Sequence, residues 1–323
     1  MQIHTDNPPS LQSPLSSVPA QKVRDLPREF LLERLELYYG DRPPREAVES
    51  SYSLWECAET GLQFAWPMLP GSACFYRWVS GFSSYYPGQR WEYGRTQVLI
   101  QEENCGNGEF RLLDIGCGKG DFLRSLTYLS TQQRFGLDLN EPAVAACRSH
   151  GFCVFCGTIE SALRAEAFKP GGFNVLTCFH CLEHVDNPVE FARSLITATA
   201  PGGRVFISTP FSPMSFEADW FDIMNHPPHH LTRWNLTAYR RLADMLGVKM
   251  RFFVPPSDPV QRTLGEFRLL LHGPNRPVTR GTLLTDLLRH APKAIRLFRR
   301  QMGRGRNNQG VSADVILIEF RVP

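Results

Sequence analysis

Two groups of residues in this chain have the types and spacing to do chemistry. The first is Asp114-Ile-Gly-Cys-Gly-Lys-Gly120, an acid followed by glycines at alternate positions. An apolar run, Phe110 to Leu113, leads into the acid, and Asp121-Phe-Leu-Arg-Ser-Leu follows with the pattern of a helix. A buried strand, a Gly-rich turn and a helix start are the parts of a nucleotide-binding site. The spacing here is G-x-G-x-G, which matches neither the G-x-G-x-x-G of a dinucleotide fold nor the G-x-x-x-x-G-K-[ST] of a P-loop. Asp114 repels a phosphate and suits an ammonium group. Asp138 lies roughly 20 residues further on, the offset of a carboxylate that accepts hydrogen bonds from ribose hydroxyls. The second group is made of histidines: His180 and His184 flank Glu183, and His226, His229 and His230 share a proline-stiffened loop. Imidazole titrates near neutrality and commonly takes the proton of a hydroxyl nucleophile.

These residues need a scaffold that brings strand ends together. Strand patterns at Gln133 to Asn140, Phe152 to Cys156, Gly172 to His180 and Arg204 to Pro210 follow the first strand. Helical segments alternate with them. Glu141 opens one that Gly151 ends, and Val189 to Thr199 forms another, preceded by Pro188 and closed by Pro201-Gly-Gly203. Such a rhythm predicts βαβ units and a parallel sheet, with ligands at the strand C-termini, where Asp114, Asp138 and His180 fall. A further helix is expected over Leu236 to Leu246. Asn235 is a good N-cap for it, Gly247 stops it, and Leu236, Tyr239, Leu242, Ala243 and Leu246 share one face.

The glycine turn resembles motif I of the class I S-adenosylmethionine (SAM) methyltransferases. The segment His180-Cys-Leu-Glu-His-Val, the Pro-Gly-Gly turn before a strand ending in Thr209-Pro210, and the loop His229-His-Leu-Thr-Arg-Trp234 resemble further elements of small-molecule and glycan-type members. The likeness covers roughly residues 50 to 255 and the last strand, Val311 to Val322. It implies a Rossmann-like α/β fold, a seven-stranded, mostly parallel doubly wound sheet, with SAM as cofactor. It also implies that Asp114 sits near the SAM amino group, that Gly116, Cys117, Gly118 and Gly120 approach its methionyl and ribose parts, and that Asp138 and Leu139 take the ribose side. Thr158 and Ile159 are implied beside adenine, and Phe179 nearby. Phe173-Asn174 stands where the family commonly has Phe-Asp.

Catalysis is expected from His180, His184, His229 or His230, by removal of a proton from an acceptor hydroxyl. His180, Glu183, His184 and His229 also have the residue types of a divalent-metal set. They resemble the Glu-x-x-Glu-His plus distal His of small-RNA 3′-terminal methyltransferases and some quinone-pathway O-methyltransferases. His180 replaces the first Glu, nitrogen for a hard oxygen, so no metal is expected.

Before the core, Tyr52 to Pro67 resembles a pre-domain strand pair of related methyltransferases, with Thr60 where a second zinc-binding Cys would stand. Tyr85, Tyr86, Trp91 and Tyr93 are candidates to line the acceptor pocket. Residues 1–26, polar and rich in Ser and Pro, are expected to be disordered. Residues 27–105 are read as the N-terminal helix and pre-domain or lid, 106–257 as the SAM-binding core, 258–310 as an insertion, and 311–323 as the final core strand.

A net charge of +3 implies no nucleic-acid partner by itself, and none is expected. The insertion carries 11 basic and 3 acidic residues, so the rest of the chain is mildly acidic. Within it, residues 283 to 300 combine a basic and an apolar face, a pattern that suits contact with an anionic membrane surface as well as an oligomer contact, a lid or a solvated helix. Nine irregularly spaced cysteines and the absence of a signal-peptide pattern fit a reducing cytoplasm. The expected acceptor is a small molecule, a sugar, a glycan precursor or a lipid-linked metabolite; the alternatives are a quinone-pathway phenol O-methyltransferase, an RNA-end methyltransferase and a SAM-binding module without catalysis.

Overall fold

A computed structural model describes residues 11–82, 85, 88–102, 110–217, 219–256, 258–273, 278–304 and 313–323. The N-terminal part runs β1 (Gln12–Ser13), β2 (Ser16–Pro19), β3 (Gln21–Leu26), α1 (Arg28–Tyr39), β4 (Tyr52–Glu56), β5 (Gln63–Trp66), α2 (Ala73–Val79) and α3 (Trp91–Glu102). The core follows with β6 (Leu112–Ile115), α4 (Asp121–Ser125), β7 (Arg134–Asp138), α5 (Glu141–Arg148), β8 (Cys153–Cys156), α6 (Ile159–Arg164), β9 (Phe173–Phe179), α7 (Pro188–Ala198) and β10 (Thr199–Pro210). The chain closes with β11 (Thr232–Arg233), α8 (Leu236–Leu246), β12 (Lys249–Phe253), α9 (Pro259–His272), α10 (Arg280–Arg289), α11 (Ala291–Arg304) and β13 (Val315–Arg321).

Seven strands form the central sheet in the order β12-β13-β10-β9-β6-β7-β8, parallel except where β13 pairs antiparallel with β10 and β12. This is the seven-stranded doubly wound sheet expected from the sequence. Its inner strands are apolar on both faces because helices cover both. Leu113, Ile115, Leu176 and Cys178 pack on one side, and Leu112, Val175 and Phe179 on the other. The strand order reverses between β6 and β9, so the crevice at their C-terminal ends is where a ligand fits. Parallel register sets Asp114 beside Thr177 there.

A second sheet, β11-β5-β4-β3, is antiparallel. It joins the pre-domain strand pair to the histidine loop, because Thr232 pairs with Phe64 and Arg233 with Gln63. Composition predicts disorder across residues 1–26. Residues 1–10 lie outside the described residues, but 11–26 are ordered, which corrects that expectation. Leu11, Leu15 and Leu26 are buried, β3 pairs along β4, and Arg241 Nε donates to the Leu15 carbonyl at 3.1 Å. Three well-placed leucines and a strand ladder outweigh a polar composition.

The helix at Leu236–Leu246 matches its expectation. Asn235 Oδ1 accepts the Ala238 N–H at 2.8 Å, and Gly247 ends it at φ 66°. Between β12 and β13 the insertion folds as helices. The segment read over 283–300 divides at His290, and Pro292 falls in the first turn of α11, where its missing N–H costs nothing. α11 lies against α9, with Leu297 and Phe267 buried and Arg300 paired with Glu266 and Asp219.

Candidate active site

The crevice at the end of β6 is shaped mainly by backbone. Gly116 has φ 70° and Gly118 φ 52°, the left-handed region that favours glycine. A β-carbon on Gly116 would lie 2.3 Å from Cys181 Sγ, so the turn and the segment after β9 touch closely. Asp138 fastens the turn: its Oδ2 accepts the Gly118 N–H at 2.8 Å and its Oδ1 the Asn140 N–H at 2.8 Å. An ionised carboxylate has about four acceptor sites, so roughly two stay available to a ligand's hydroxyls. Burial raises the Asp138 carboxyl above its ordinary range. Asp114, 3% exposed, accepts a 2.7 Å hydrogen bond from Thr177 Oγ1. Burial pushes its carboxyl up to about 7 against the lowering effect of Thr177, with the Asp138 charge adding to the rise. A buried carboxyl in that state calls for a cation.

The histidines occupy the next position along the sheet ends. His180, directly after β9, has φ 54°, unusual for a residue other than glycine. Its Nε2 meets Glu92 Oε1 at 2.7 Å and its Nδ1 meets Glu183 Oε1 at 3.2 Å. These two carboxylates overcome burial and raise the imidazole above its ordinary value. His184, His229 and His230 form a separate cluster. The His184 and His229 ring centroids lie 4.6 Å apart, His184 and His230 4.7 Å, and His229 and His230 stack at 4.5 Å. Burial holds His184 below, and His229 and His230 well below, the usual histidine range, and the neighbouring imidazoles deepen the shift. Three imidazoles thus pack together, His229 and His230 buried and His184 partly so. Tyr76 and Tyr85 wall the cluster, 6.4 and 5.8 Å from His229 between centroids. Leu231 N–H donates to the Glu183 carbonyl at 2.7 Å, which ties the histidine loop to the segment after β9.

Measured against the sequence, the structure sets Asp114 on β6 with Gly116, Cys117, Gly118 and Gly120 in the turn after it, and places Asp138 and Phe179 at the C-terminal ends of the two neighbouring parallel strands. Several side chains do not face the crevice as expected. The Cys117 thiol is buried against Gly136, so this residue offers its backbone. Ile159 is fully buried in the core rather than open beside a ligand, and Thr158 is engaged in a capping box with Ser161. Leu139, by contrast, is 72% exposed beside Asp138. His180 has both nitrogens occupied, which removes it from the proton acceptors and from the His180, Glu183, His184, His229 metal set. Tyr93 joins Phe122 and Phe179 in an aromatic cluster, while Tyr86 lies outside the described residues. Glu92, Thr177, Tyr76 and Asn225 escape the sequence reading. The partners of Glu92, Thr177 and Tyr76 are distant in sequence, while Asn225, five residues from His230, is marked by no local pattern.

Residues 67–251 match the family model of the methyltransferase domain, more than half of the chain. The chain belongs to that family. Ubiquinone biosynthesis O-methyltransferases of Burkholderia multivorans and Ralstonia nicotianae are 36% and 34% identical to it over 102 residues, 31% of this chain and 44% and 42% of theirs. The chain thus spans less than half the length of these curated relatives. A solved SAM-dependent methyltransferase of Thermotoga maritima, described as a possible histamine N-methyltransferase, aligns over 77% of this chain and 98% of its own at a TM-score of 0.46 and 14% identity.

Proposed function

We propose that the enzyme moves the SAM methyl group to a hydroxyl of a small-molecule acceptor: a sugar, a glycan precursor or a lipid-linked metabolite. The observation that carries this reading is the packed cluster of three imidazoles, His184, His229 and His230, beside the glycine turn. Methyl transfer needs in-line approach of acceptor oxygen and sulfonium, and holding the two together supplies much of the rate. In this reading Asp114 pairs with the SAM ammonium, and Gly116, Cys117, Gly118 and Gly120 admit its methionyl and ribose parts. Asp138 takes the ribose hydroxyls, while Leu139, the backbone at Thr158 and Ile159, and Phe179 border the adenosine. Cys181 against Gly116 links the glycine turn to the histidine cluster, where the acceptor hydroxyl is placed.

A second reading, a phenol O-methyltransferase of quinone biosynthesis, is favoured by the partial likeness to the ubiquinone enzymes. The insertion supports membrane proximity for either acceptor. Leu284, Leu288, Ile295, Phe298 and Met302 are exposed on α10 and α11, which also carry Arg289, Lys293, Arg296 and Arg299. That is the composition of an interfacial helix on anionic lipid. Transfer of labelled methyl into a cell extract, fractionated into glycan, lipid, quinone and RNA pools, tests the acceptor. Label in the glycan or lipid pool is expected; label confined to RNA would defeat both readings.

A further inference from the structure

We infer that His184, His229 and His230, with Glu183 beside them, form a binding site for a divalent transition-metal ion of the Zn²⁺ type. The argument begins with where the ring protons are. His184 Nδ1 donates to the His229 carbonyl at 2.6 Å, His229 Nδ1 to the Met224 carbonyl at 2.9 Å, and His230 Nδ1 to Asn225 Oδ1 at 3.1 Å. Asn225 is held in that orientation because its amide nitrogen donates to Glu217 Oε1 at 3.1 Å. Each ring is therefore protonated on Nδ1 and presents a bare lone pair on Nε2. Carbonyl partners on the remote nitrogen are the means by which proteins orient metal-bound imidazoles.

The cluster is also short of positive charge. The ligand atoms of the three histidines lie within 4.8 Å of one another. His229 Nε2 is buried without a partner, and so is Glu183 Oε2. Glu183 Oε1 faces His230 Nε2 at 3.9 Å, a carboxylate oxygen against a lone pair with no proton between them. Groups so placed repel, and leaving a buried acceptor unpaired is costly. One cation among the three rings satisfies their nitrogens and offsets the nearby Glu183 charge. A proton would satisfy one nitrogen and set the resulting charge against two more rings. Zn–N bonds of about 2.0–2.1 Å in tetrahedral geometry place the nitrogens roughly 3.4 Å apart, a modest closing of the present cluster. Three imidazoles select Zn²⁺ or Co²⁺ over Mg²⁺, which prefers oxygen. Metal binding stands on this geometry alone. Its use, lowering the pKa of an acceptor hydroxyl bound to the ion, rests on the proposed methyl transfer.

The test uses the full chain without an affinity tag, stripped with chelator and titrated with Co²⁺ by visible absorption. A saturable band at one equivalent is expected, abolished by Zn²⁺ and untouched by excess Mg²⁺. Asn225→Ala should weaken Co²⁺ binding by roughly 10–100-fold through loss of ring orientation, His229→Ala and His230→Ala by more, and His150→Ala not at all. Calorimetry with S-adenosylhomocysteine on the same samples reports the fold and the cofactor crevice separately. A native chain that binds S-adenosylhomocysteine but shows no saturable Co²⁺ binding overturns the inference and leaves the methyltransferase reading intact. Binding that survives in both histidine variants overturns it as well. Should a variant fail to fold, the native titration decides alone.

Discussion

The glycine turn after β6 and the histidine cluster meet through Cys181, whose thiol lies against Gly116 and the Ile115 carbonyl, yet they are built on opposite plans. The crevice is backbone: a left-handed turn, strand ends and one carboxylate that fastens two N–H groups. The cluster is side chain. Its histidines come from the segment after β9 and from a loop whose own strand belongs to the other sheet. A ligand shared by a large family is served by a turn that local sequence can encode. A ligand particular to one enzyme is served by side chains that only tertiary packing can assemble.

This contrast can be broken at several points. The largest effect is expected for Gly116→Val, where the added side chain meets Cys181 in a backbone region that valine disfavours. Calorimetry should find no S-adenosylhomocysteine binding, and native affinity would refute the backbone account of the crevice.

Next is Asp114→Asn. The Asp114 carboxyl lies at about 7 in the folded protein against an ordinary 3.8, so the ligand-free fold loses stability as pH rises between those values. The replacement should stabilise the ligand-free enzyme above pH 7 by up to about 4 kcal/mol, with no gain below pH 4, in denaturant titrations. It should also weaken cofactor binding. Equal stabilisation at both pH values would show that the carboxyl is not held protonated by burial.

Asp138→Ala should weaken S-adenosylhomocysteine binding by about 10–100-fold, the worth of charge-assisted hydrogen bonds, measured by calorimetry. The smallest effect is expected far from both regions. Leu288→Asp on α10 should leave unfolding free energy within about 0.5 kcal/mol of native. It should nevertheless reduce pelleting with anionic vesicles, and unchanged pelleting would remove the membrane role of the insertion.

Much of the fold is legible because its signals are local. The strand-turn-helix at Asp114 to Gly120 and the capped helix from Asn235 to Gly247 need only near neighbours to form. The failures share a cause. His180 reads as a proton acceptor until Glu92, 88 residues earlier, is found on its Nε2. Residues 11–26 read as disordered because a ladder to β4 and three scattered leucines leave no periodic trace. Position in a motif places Ile159 and Thr158, and it fixes the backbone but not the direction a side chain takes once a helix begins. His230 enters the metal geometry in place of His180 for a similar reason: spacing along the chain groups residues that a left-handed bend then pulls apart.

The pairing of β11 with β5 has a mechanical corollary. Gln63 and Arg233, 170 residues apart, are joined both in the ladder and through their side chains. The histidine loop is therefore anchored to the second sheet at its far end rather than hinged on its own flanks, and to swing it aside would tear strand pairing.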